Sequence, residues 1–143
     1  MKNCTLFFLL LSFLFSCSKD EDIKANWAPF WQGRFTTSEQ SGDTLLITAW
    51  AITPKDNNHI NIVIEEERSS TSNPEQKQSS AIYVDNVLVE SAKLIILDNE
   101  FRSGSSVGKM TGTAKLDRNW LTYDLKLSDK SGSKSISNTL YLR

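Results

Sequence analysis

Hydrophobic and polar positions alternate with a period of two along most of the chain, the pattern of strands that bury one face. Residues 59–66 (HINIVIEE) show it most cleanly, with Ile60, Ile62 and Ile64 on one side. Residues 31–37 (WQGRFTT) and 44–53 (TLLITAWAIT) precede them, separated by Ser41-Gly42-Asp43. Pro54-Lys55-Asp56-Asn57-Asn58 then breaks the chain with turn-forming side chains. Short strands are predicted over 81–84, 87–89 and 93–97. Residues 109–116 (KMTGTAKL) and 120–127 (WLTYDLKL) flank a hairpin loop at Asp117-Arg118-Asn119. A final strand covers 135–142 (SISNTLYL), with Ile136, Leu140 and Leu142 on one side. Residues 67–79 read as a polar loop, Pro74 barring a strand through its middle, and residues 101–106 read as another.

This pattern predicts an all-β fold, an antiparallel up-and-down meander of seven or eight strands. The meander closes into a barrel, with a β-sandwich as the alternative. Pairing of the last strand with residues 31–37 would close the ring and remove exposed edges.

The first residues follow a different rule. Lys2 precedes an unbroken apolar run over residues 6–15 (LFFLLLSFLF), about half the length of a membrane-crossing helix. Its length and flanks are those of a secretory signal peptide. The run ends in Leu14-Phe15-Ser16-Cys17, which resembles the bacterial lipobox. That resemblance implies acylation of the Cys17 thiol by diacylglycerol, cleavage just before it, and a mature protein held to the membrane by acyl chains such as palmitate. Ser18-Lys19-Asp20-Glu21-Asp22 then resembles the lysine-plus-acidic tract of surface-exported lipoproteins of the Bacteroidota. The expected organisation is a signal peptide over 1–16, a lipidated cysteine and acidic tether over 17–29, and one barrel domain over 30–143. The expected address is the outer membrane, facing the cell surface, with a periplasm-facing domain as the alternative.

Composition narrows the remaining choices. The formal net charge is −1 with no basic cluster, so the cationic stripe that nucleic-acid binding needs is missing. Cys4 leaves with the leader and Cys17 is capped by lipid, so the domain relies on its core rather than on disulfides. His59 is the sole histidine and shows no nucleophile or orienting partner at a motif spacing. One histidine without free thiols is short of a zinc ligand set. Glu65-Glu66-Glu67 lie consecutively on a strand, so their side chains alternate between faces and do not converge on a cation. Neither catalysis nor a cofactor is expected.

Phe30-Trp31-Gln32-Gly33-Arg34-Phe35, and Gly108-Lys109-Met110-Thr111-Gly112-Thr113-Ala114 with the hairpin behind it, carry a resemblance to the small lipocalin-like lipoproteins of the Bacteroidota. Trp31-x-Gly33 reverses the Gly-x-Trp order of true lipocalins. The resemblance implies a barrel that binds a small apolar or amphiphilic ligand. Trp50, Tyr123 and Met110 are the candidate ligand-binding residues, since aromatic faces supply large contact area at low entropic cost. Gly112 and Ala114 would leave room inside. Trp27 and Trp31 bracket Ala28-Pro29-Phe30, a short lid for the closed end. A second reading is a solid-cored interaction module that meets an envelope protein or a glycan through its loops, residues 67–79 and 101–106.

Overall fold

Ile60, Ile62 and Ile64 are buried while Asn61, Val63 and Glu65 between them are half-exposed, so the alternation in the sequence is the alternation of the sheet. The computed structural model describes residues 26–143. The apolar leader, Cys17 and the acidic stretch behind it lie outside the described residues. Eight strands follow in chain order: β1 Gly33–Ser41, β2 Thr44–Pro54, β3 His59–Ser70, β4 Lys77–Leu88, β5 Leu94–Ser103, β6 Ser106–Asp117, β7 Trp120–Asp129 and β8 Gly132–Leu142. Each pairs antiparallel with its sequence neighbour, and β8 returns to β1. The meander therefore closes as a barrel and not as a sandwich.

Several strands are longer than the hydrophobic pattern predicts. β3 and β4 continue to Ser70 and back from Lys77, so the expected loop over 67–79 shrinks to a turn holding Pro74. These strand ends are polar because water reaches them, and ladder pairs such as Glu67↔Ser79 and Arg68↔Gln78 keep them extended. The turn is clamped by Asp43, whose carboxylate accepts from the Ser70 and Ser72 hydroxyls at 2.6 Å and from the Ser72 N–H at 2.7 Å. Those donors, led by Ser70, hold the Asp43 carboxyl well below the usual carboxylate range. Residues 101–106 are likewise not a loop. β5 runs to Ser103, and the turn is Gly104-Ser105, with Gly104 at φ 57. The two short strands over 81–84 and 87–89 are one strand with a bulge. There Asn86 takes φ 59, its N–H donates to Asn61 Oδ1 at 3.0 Å, and the register slips between Ile60 and Ile62.

One end of the barrel is closed by a 3₁₀ turn, Ala28–Trp31. The Ala28 N–H donates to the Asn57 carbonyl at 3.0 Å, and the Trp31 indole N–H donates to the Ser91 carbonyl at 2.8 Å. Ala28 and Trp31 are fully buried, so the folded unit takes in residues ahead of position 30. Above this plug the interior is solid, filled by Phe35, Trp50, Ile52, the β3 isoleucines, Val84, Val87, Ile95, Leu97, Leu121 and Leu140. Among the described residues the core lies between Ala28 and Leu140.

The ladder is uneven around the ring. β2 and β3 pair over eleven positions, from Thr44↔Ser70 to Pro54↔Ile60. Closure between β1 and β8 rests on Phe35↔Leu142 and Thr36↔Tyr141. β4 and β5 meet at Tyr83↔Arg102, with an Arg102–Asp85 ion pair on the outside.

Candidate functional site

The strand parity that buries one face at the closed end carries different side chains at the other. On β3, Ile60, Ile62 and Ile64 are followed on the same face by Glu66. On β4, Val84 is preceded by Ile82 and Ser80, and on β7, Leu125 is followed by Leu127 and Asp129. The interior thus changes from aliphatic to mixed as it nears the turns after β1, β3, β5 and β7. There the barrel opens into a cavity of about 380 Å³, within the roughly 300–1,000 Å³ of small-molecule sites. Ile82, Phe101, Leu127 and Ile136 give it an apolar lining, and Glu66, Ser80, Ser103, Ser106, Asp129 and Lys134 give it polar contacts.

The three consecutive glutamates divide as strand geometry requires. Glu65 points outward to Arg34 at 2.6 Å, and Glu67 points outward to Lys77 at 2.9 Å. Glu66 faces the cavity, half-buried, and has no hydrogen bond or ion pair among the described residues. Asp129, across the mouth, is engaged with its own turn, accepting from the Ser131 N–H at 2.8 Å, and its carboxyl is held below the usual range by the Ser131 hydroxyl and N–H. Glu39 accepts from Asn138 Nδ2 at 2.8 Å, bridging β1 to β8.

The residues singled out from the sequence lie beneath this mouth. Trp50 and Met110 are fully buried and Tyr123 is 5% exposed. Trp50 and Tyr123 are brought together, their rings stacked at 4.7 Å between centroids with 27° between planes. Met110 stands in register with Leu127, just under the cavity. Gly112 and Ala114 leave no room inside: Ala114 is fully buried, and a side chain at Gly112 would meet the Asp124 carbonyl. The space is higher up, next to the stretches 67–79 and 101–106 that the sequence pattern presents as polar loops. Glu66 and Phe101 were missed for that reason. The available signal was parity, since Glu66 continues the face of Ile60, Ile62 and Ile64, and Phe101 that of Ile95 and Leu97.

Tyr123 marks the boundary between core and mouth. Burial, reinforced by the nearby Glu66 and Glu39 carboxylates, pushes its phenol up to about 12. The Trp50 indole N–H beside its hydroxyl acts in the opposite direction, but lacks the alignment of a hydrogen bond. The unfolded chain ionises this phenol near pH 10, before the folded barrel does. Tyr123 therefore leaves stability unchanged below pH 10 and lowers it as pH rises from about 10 towards 12. Thermal melts at pH 9 and pH 11 should show a lower midpoint at the higher pH, and Tyr123→Phe should reduce that drop. An equal drop in both proteins would contradict the assignment.

His59 is at a surface turn, its Nδ1 2.9 Å from Asp56 Oδ1. The Asn58 N–H, followed by the His59 ring, lowers the Asp56 carboxyl from its ordinary value.

No family model and no curated protein matches the sequence. A solved structure of EF1p2_mFAP2b bound to DFHBI is similar, with a TM-score of 0.54 at 16% identity, covering 83% of this chain and 98% of the other. The likeness is one of fold. This is a lipocalin-like barrel. Within that barrel the end closed by Ala28–Trp31 is a packed core and the opposite end is an open, amphipathic mouth.

Proposed function

We propose that the protein is an outer-membrane-anchored lipoprotein whose lipocalin-like barrel binds a small apolar or amphiphilic ligand in its mouth and does no chemistry on it. The observation that carries the reading is the cavity of about 380 Å³ floored by Ile82, Phe101, Leu127 and Ile136. Apolar side chains left uncovered at the end of a closed barrel gain about 25 cal/mol for each Å² that a ligand removes from water. The similar fold of EF1p2_mFAP2b, solved with DFHBI bound, supports this use of the architecture. Anchoring is supported by Leu14-Phe15-Ser16-Cys17. The described chain begins at the closed end, beside Asn57.

Native mass spectrometry of residues 18–143, exposed to envelope extract from the source bacterium, tests the reading. The expected result is a discrete adduct of low mass that disappears on denaturation. Bare protein at every extract concentration would overturn the binding function and direct attention to protein partners, sought by crosslinking.

A further inference from the structure

Among the described residues the mouth holds one half-buried carboxylate with no hydrogen bond or ion pair. Among the carboxylates that border it, Glu39 accepts from Asn138 and Asp129 caps its own turn, while Glu66 has no partner among the described residues. Its neighbours Glu65 and Glu67 have taken Arg34 and Lys77 on the outer wall. A half-buried carboxylate beside an apolar floor is costly to keep, and its attraction for an opposite charge is stronger than in open water.

We propose that Glu66 makes the mouth selective for amphiphiles with a protonated amine head, the ammonium seated against Glu66 and the hydrocarbon on Ile82, Phe101, Leu127 and Ile136. This rests on the binding function proposed above and adds the charge of the ligand to it. Lys134, on the opposite wall, is the one group that would favour an anionic head. It is solvent-exposed where Glu66 is half-buried, so water screens it more, and Glu66 decides the preference.

Titration calorimetry with decylamine, decanol and decanoate at neutral pH tests the proposal, because the three probes share a chain and differ in head charge. Residues 18–143 retain the whole barrel and are the protein to use. Decylamine is expected to bind about tenfold tighter than decanol, with decanoate weakest, as a partly desolvated charged hydrogen bond would give. Glu66→Gln should abolish the preference for decylamine over decanol. Equal binding of amine and alcohol, tighter binding of decanoate, or an amine preference that survives Glu66→Gln would each overturn the proposal while the binding barrel stands. Failure of all three probes to bind would overturn both.

Discussion

Trp50→Ala is expected to lower the free energy of unfolding by about 3–5 kcal/mol, the range for truncating a buried aromatic. Trp50 is fully buried, stacks on Tyr123 and stands opposite Phe35 on β1 and Ile64 on β3. Its removal opens a void at the centre of the barrel that close-packed neighbours fill only partly. A domain of this size has roughly 5–15 kcal/mol in total, so the variant should sit near its unfolding threshold. Urea denaturation followed by far-UV circular dichroism measures the loss directly. Trp50→Phe, which keeps most of the ring, should recover much of it. A loss below about 1 kcal/mol for Trp50→Ala, with ligand binding gone, would move Trp50 from the core to the site.

Gly112→Ala is the second large effect, expected at about 3 kcal/mol. Gly112 sits in β6 at φ 138, opposite Leu125 in the ladder, and a methyl group there would collide with the Asp124 carbonyl on β7. Two costs combine: a backbone conformation that L-residues avoid, and a clash with a backbone atom that cannot swing aside. Gly104→Ala provides the control. Its φ of 57 is also left-handed, but nothing lies within contact distance of the added carbon, so only the conformational cost of about 1 kcal/mol applies. Equal losses at the two positions would show that close approach of β6 to β7 is not what holds Gly112 in place.

The strands were legible wherever aliphatic residues alternated with polar ones, as over residues 59–64. The barrel followed from the short turns between them. Strand ends were not legible, because a strand exposed to water on both faces loses the hydrophobic signal while keeping its ladder. That is why residues 67–79 read as a loop, whereas β5 seemed to stop at Leu97 and residues 101–106 read as a loop because Asp98, Asn99 and Glu100 interrupt the apolar pattern before buried Phe101 resumes it. The candidate site suffered from the same blindness. Aromatic bulk drew attention to Trp50 and Tyr123, yet size alone does not tell a ring in the core from a ring at a ligand. Strand parity, carried past the last isoleucine to Glu66, locates the mouth better than residue type does.

The uneven ladder has a consequence for how the molecule comes apart. The joins at β1–β8 and β4–β5 divide the ring into two curled sheets, β1–β4 and β5–β8, each sewn internally by long hairpins. Contacts within a half, like the β4–β5 join at Tyr83↔Arg102, link consecutive strands, whereas the β1–β8 join ties Phe35 to Leu142 across the described chain. Each half can thus zip by itself at little loop-closure cost, and docking of the two completes the molecule. The barrel behaves as a clasped pair of shells, and its amides should exchange in two blocks that share hinges at the two joins.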